Sequence, residues 1–202
     1  MGDVTAILLA AGLSRRMGER NKLLLPINGV PMIRYMVEVY RAVTQRPILV
    51  VTGHQSDAIE DSLAGCDVRL IFNSDFADGQ QTSVACGLRV AKDGAQILIG
   101  LGDQPRLTGD NLRALLKAHK AADPARISIP KIGDQRGNPI VVPSNLRERV
   151  LADPKSAGCK AFTRKYPERV QFHALSAHGF YTDVDTPDAY DALVSQNLGD
   201  AT

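Results

Sequence analysis

With 202 residues, 44% of them hydrophobic, 23% charged and none tryptophan, the chain has the size and make-up of one domain built on a buried core. A net charge of +2 is too small to signal nucleic-acid or membrane-surface binding. Three widely spaced cysteines with no CxxC pair argue against a disulfide framework, and four histidines without an HExxH spacing argue against structural zinc. No apolar run approaches the roughly 20 residues of a membrane span, and the run 6–11 is too short for a signal peptide, so the expectation is a cytoplasmic protein.

In chain order, short apolar runs alternate with segments of helical periodicity. Strands are predicted over residues 4–10, 47–52, 68–72 and 96–101, each followed by a helix, over 31–43, 55–63, 82–90 and 109–121. Further along, 127–130 and 139–142 read as strands flanking a turn-rich stretch at 133–138. Short helices over 145–151 and 160–165 precede a strand near 170–174, and Thr186-Pro187 opens a final helix as N-cap and first helical residue. Such alternation, with strands apolar throughout, predicts an α/β fold of three layers: a mainly parallel sheet with helices on both faces, in one domain over 1–202.

In such a sheet ligands sit outside the carboxyl ends of the strands. That rule selects the loops 11–26, Gly53, 73–82 and 102–105, all rich in glycine or polar residues. The first lies in LAAGLSRRMGERNKLLLP (9–26), where Arg15, Arg16, Arg20 and Lys22 make the chain's one local basic cluster, suited to a small anionic ligand. Gly12 and Gly18 let the backbone bend and present amides to a phosphate, and Lys22 supplies a mobile point charge for a β- or γ-phosphate. It is neither a Walker A loop nor a GxGxxG fingerprint, and its plainer reading is a solvated basic turn.

Asp103 follows the strand 96–101, and Asp183 and Asp185, two apart, share one face if extended. Carboxylates suit Mg²⁺, which takes few protein ligands and fills its shell with phosphate and water. The plainer alternatives are a helix cap for Asp103 and a surface carboxylate for Asp183. In FNSDFADGQQTSVACGL (72–88), Asn73 suits a base or ribose and Gly79 a close approach, while Ser83 and Thr82 either bind an anion at a helix start or merely cap the helix. Gly53 either meets ligand or ends a strand.

The sequence resembles the MobA-like nucleotidyltransferases, and within them the molybdenum cofactor cytidylyltransferase branch, through LAAGLSRRMGERNKLLLP, VTGH, the 72–88 segment, GDQPRLT, GDQRGNPIVV and DVDTPDAY. The resemblance implies a Rossmann-like fold of the nucleotide-diphospho-sugar transferase type. It implies transfer of CMP from CTP to the terminal phosphate of molybdopterin, with Mg²⁺ on Asp103 and Asp185 and catalysis by Lys22, Arg16 and Asp103. The nucleotide would be held by Leu9, Ala10, Ala11, Gly12, Arg15, Arg16, Lys22, Gly53, Asn73, Gly79 and Ser83, the acceptor by Gln104, Arg136, Gly137 and Asn138. A molybdoenzyme would be the client. LAAG, where guanylyltransferases of the superfamily usually carry LAGG, favours CTP. Two departures bear on the acceptor: Asn138 stands where the branch commonly has histidine in GHP, and AGCK (157–160) where relatives often carry GDxGAR. These keep open a delivery chaperone without turnover, another phosphorylated acceptor, or a reductase of a catabolic pigment on the same scaffold.

Overall fold

The computed structural model describes residues 3–152 and 159–199. Its elements run β1 (Val4–Ala10), two 3₁₀ turns (Arg15–Met17, Lys22–Leu24), β2 (Pro26–Ile27), β3 (Val30–Pro31), α1 (Met32–Arg41), β4 (Ile48–Thr52), α2 (Ser56–Ser62) and β5 (Val68–Phe72). There follow α3 (Gln80–Val90), β6 (Gln96–Leu101), α4 (Gly109–Ala121), β7 (Ile127–Ile132), β8 (Gln135–Arg136) and β9 (Ile140–Val142). The last part holds α5 (Arg147–Leu151), α6 (Cys159–Lys165), β10 (Val170–His173), a 3₁₀ turn (His178–Phe180) and α7 (Pro187–Gly199).

The main sheet has the order β10-β7-β9-β6-β1-β4-β5, with β8 added on β7. Its pairs β1–β4, β1–β6, β4–β5 and β7–β10 are parallel, while β9 runs antiparallel between β6 and β7. β1 lies inside the sheet between β6 and β4, buried along all its length, which is why VTAILLA is largely apolar without alternation. The period-2 geometry of a strand then splits those residues between two cores. Ala6, Leu8 and Ala10 join Met32, Ile33, Met36, Val37 and Tyr40 of α1 and Leu112, Leu115 and Leu116 of α4. Ile7 and Leu9 join Val84 and Leu88 of α3, Val150 of α5 and Phe162 of α6. The three-layer, mainly parallel α/β architecture is thus present.

Local differences have local causes. α1 begins at Met32 because the preceding residues pair as an antiparallel β2–β3 ribbon, closed by Asn28 and Gly29, both at positive φ as a type I′ turn requires. α3 begins at Gln80, not Thr82, so Thr82 and Ser83 lie inside its first turn rather than capping it. β7 extends to Ile132 and folds back on β8, turning the turn-rich 133–138 stretch into a short hairpin. The final helix does start after Thr186, whose hydroxyl accepts from Ala189 N at 3.2 Å. Among the described residues no helix is long and apolar enough to cross a membrane.

Candidate active site

The loop after β1 is shaped by its two 3₁₀ turns. Buried Met17 and Leu23 anchor them, the Asn21 side chain caps the second by accepting from Leu23 N at 3.1 Å, and Lys22 N donates to Ser14 Oγ at 3.4 Å. Gly18 sits at φ 67°, where glycine relieves strain. Gly12 does not need that freedom: a Cβ there would meet no protein atom within 4 Å, so its contribution is open space above the loop.

Four charged groups converge beside this loop. The Lys22 ammonium donates to Asp103 Oδ2 and, at 2.6 Å, to Asp185 Oδ1, while Arg16 donates to Asp185 Oδ2 at 2.5 Å. Burial works against the charged form of Lys22, but Asp103 and Asp185 outweigh it and hold its pKa above the ordinary value. For Asp185, burial is likewise overcome, here by the Lys22 hydrogen bond and charge and by Arg16, and its pKa is lowered. Asp183 goes the other way, raised by burial and by the nearby Asp103 charge against the hydrogen bond from Gln104. The Lys22 head, expected as a point charge for phosphate, sits here between two carboxylates, and only 11% of its side chain is exposed. Asp103 plays no part in capping α4, whose start is held by Thr108.

These groups line a cavity of about 520 Å³. Of the residues expected to hold nucleotide, it takes in Leu9, Ala11, Gly12, Arg15, Arg16, Lys22, Gly79 and Ser83, together with Asp103, Asp183 and Asp185. Three others lie off it. Ala10 is turned into the core. Gly53 is wedged so that a Cβ would lie 2.5 Å from Phe76 Cβ and 2.9 Å from Ala11 Cβ, so it lets two cavity-lining residues come together. Asn73 is 1% exposed, donates to the Thr82 and Ser83 hydroxyls at 2.8 and 2.9 Å and accepts from Asp75 N. Its polar groups tie the loop to α3 instead of facing the cavity. Phe76 and Gln80 line the cavity without having been singled out, although an aromatic residue in a polar loop was the available cue.

A second cavity, of about 920 Å³, takes in Arg136, Gly137 and Asn138 as expected, but not Gln104. Gln104 is fully buried and donates to Asp183 Oδ1 at 2.8 Å and to the Phe180 carbonyl at 3.3 Å, so it braces the chain behind the site. Lys160, Thr163 and Arg164 of α6 complete the cationic side of this cavity over a floor that includes Val84, Ile99, Ile129 and Ile140. Of the AGCK segment only Cys159 and Lys160 lie within the described residues. Leu9, Gln80 and Leu101 line both cavities, which therefore adjoin.

The divalent cation that such a site implies fits the donor set. Asp103 and Asp185 offer hard oxygens already drawn to one cation, the Lys22 ammonium, and Asp103 Oδ1 is buried without a hydrogen-bond partner. No cluster of three or more candidate metal ligands occurs among the described residues, which leaves the rest of a coordination shell to phosphate and water.

A mainly parallel sheet between helices carries this basic loop and carboxylate pair at its carboxyl ends, an arrangement suited to an anionic ligand such as a nucleotide. The MobA-like NTP transferase domain matches residues 6–170, and the chain belongs to that family. Nicotine blue oxidoreductase of Paenarthrobacter nicotinovorans is 30% identical over 199 residues, spanning 92% of this chain and 96% of that protein. The bifunctional protein GlmU of Symbiobacterium thermophilum is 35% identical over 127 residues, 62% of this chain but only 27% of GlmU. Among solved structures, a nucleotidyl transferase of Methanothermobacter superposes with a TM-score of 0.80 at 26% identity, covering 98% of this chain and 99% of that one.

Proposed function

We propose that the protein transfers CMP from CTP to the terminal phosphate of molybdopterin, releasing pyrophosphate. The observation that carries this reading is the cluster of Arg16, Lys22, Asp103 and Asp185 in a cavity that adjoins a second, cation-rimmed one. Arg16, Lys22 and the amides near Gly12 suit a triphosphate, and the two carboxylates suit Mg²⁺, which when bound offsets charge on the reacting phosphates. The attacking phosphate is already ionised near neutral pH, so the protein's work is positioning and charge neutralisation, without a general base. Arg136, Lys160 and Arg164 over an aliphatic floor suit an anionic acceptor with a flat ring body. The Ala11 methyl, close to Gly53 and Phe76 at the wall of the first cavity, favours the smaller base of CTP.

A second reading, a reductase, has one observation in its favour: the near full-length likeness to nicotine blue oxidoreductase. A delivery role without turnover is disfavoured by the intact charge cluster. The deciding experiment incubates the protein with Mg²⁺ and each nucleoside triphosphate, with and without molybdopterin, scoring pyrophosphate, alongside NADPH oxidation with candidate pigments. Pyrophosphate from CTP that depends on molybdopterin is expected, and Asp103→Ala should cut it by orders of magnitude in a folded protein. Preference for GTP would overturn the base assignment, and NADPH oxidation without pyrophosphate release would overturn the reaction class.

A further inference from the structure

We infer that Lys22 is a built-in counter-ion of the Asp103–Asp185 pair, which keeps out a lone divalent cation and lets one in when a polyphosphate draws the ammonium away. The inference rests on the triphosphate reading of this site. Its geometry is specific. One ammonium spans one oxygen of each carboxylate, and Arg16 holds the second oxygen of Asp185. Of the four carboxylate oxygens, three are thus already matched to protein cations, and the fourth, Asp103 Oδ1, is buried and out of hydrogen-bond reach. A metal ion held by both carboxylates would compete with the Lys22 ammonium, because two cations repel each other in a partly desolvated site.

Lys22 is held there by its backbone as well as by charge. It opens a 3₁₀ turn capped by Asn21, its N–H donates to Ser14 Oγ, and the adjacent Leu23 is buried. Arg16 is different: two-thirds of its side chain is exposed, so it is free to swing. A triphosphate entering beside Gly12 offers both cations new anionic partners at once. The carboxylates are then released together, and metal and nucleotide assist each other's binding. Because the coupling is reciprocal, each should tighten the other by the same factor.

The test measures Mn²⁺ affinity by the electron paramagnetic resonance signal of the free ion, with no acceptor present. Wild-type protein should bind Mn²⁺ weakly alone and roughly tenfold or more tightly with a non-hydrolysable CTP analogue, within the usual range of site-to-site coupling. Lys22→Met should bind Mn²⁺ alone more tightly than wild type by a similar factor, while losing affinity for the analogue. Equal or weaker binding of Mn²⁺ alone by Lys22→Met would overturn the inference. Arg16→Gln, at an exposed position, provides the second variant: it should also tighten Mn²⁺ alone, by a smaller factor, and no gain there would count against the idea. Tighter Mn²⁺ binding in both variants, with no synergy for any nucleoside triphosphate in the wild type, would uphold the counter-ion and overturn the triphosphate reading.

Discussion

At the scale of single residues, one buried polar cluster lies away from the cavities. Ser128 Oγ, fully buried in β7, is 2.8 Å from His119 Nδ1 and 2.8 Å from His173 Nε2 and accepts from Gln171 Nε2 at 2.9 Å. A hydroxyl has one proton to give, so one histidine accepts it through an unprotonated nitrogen, and must be neutral, while the other donates. Burial lowers the pKa of both, and for His119 the neighbouring His173 adds to it. The folded values therefore lie below the unfolded one, about 6.5, so this contribution to stability is complete above that pH and is lost as pH falls through the folded values. Thermal melting at about pH 7.5 and about pH 5.5 should show a drop that is smaller in His173→Gln than in wild type. An equal drop in both would remove the histidines as its cause.

At the scale of elements, α4 shows how much of a helix is written locally. Thr108 Oγ1 accepts from Asn111 N at 3.3 Å and Asn111 Oδ1 accepts from Thr108 N at 3.1 Å, a reciprocal cap that starts the helix at Gly109. Thr108→Ala should cost about 1 kcal/mol, read as a lower urea midpoint with an unchanged slope. The strands β1, β4 and β6 were equally legible, because a strand covered on both faces is largely an apolar run. The β2–β3 ribbon was not, since each of its strands has two residues and no periodicity to read. Its one signal was the Asn28-Gly29 dipeptide. β9 could be seen as a strand but not as an antiparallel one, because direction is set by what it pairs with.

At the scale of the molecule, the site depends on a docking event near the chain's far end. Val184 N donates to the Asp103 carbonyl at 2.8 Å, and Gln104 holds both Asp183 and the Phe180 carbonyl. Together they lay the stretch carrying Asp185 across the loop after β6, within reach of Lys22 and Arg16. Gln104→Leu should therefore speed hydrogen exchange over residues 180–185 and lower turnover, even though its side chain touches neither cavity. Unchanged exchange there would show that the Val184–Asp103 bond suffices alone.

Sequence by itself determined the layers, the loop 9–26 as the basic element of the site, and the three aspartates worth naming. All of these follow from near-neighbour chemistry: apolar runs, turn residues and charge clusters. Only the tertiary structure decided that Asn73 and Gln104 face inward as braces, and that Gly12 supplies room while Gly53 supplies contact. It alone decided that Lys22 points at Asp103 and Asp185, 81 and 163 residues away. The physical reason is that a polar side chain satisfies itself with whatever partner the fold brings near. Its residue type names the bonds it can make, and only the packed chain names the groups it makes them with.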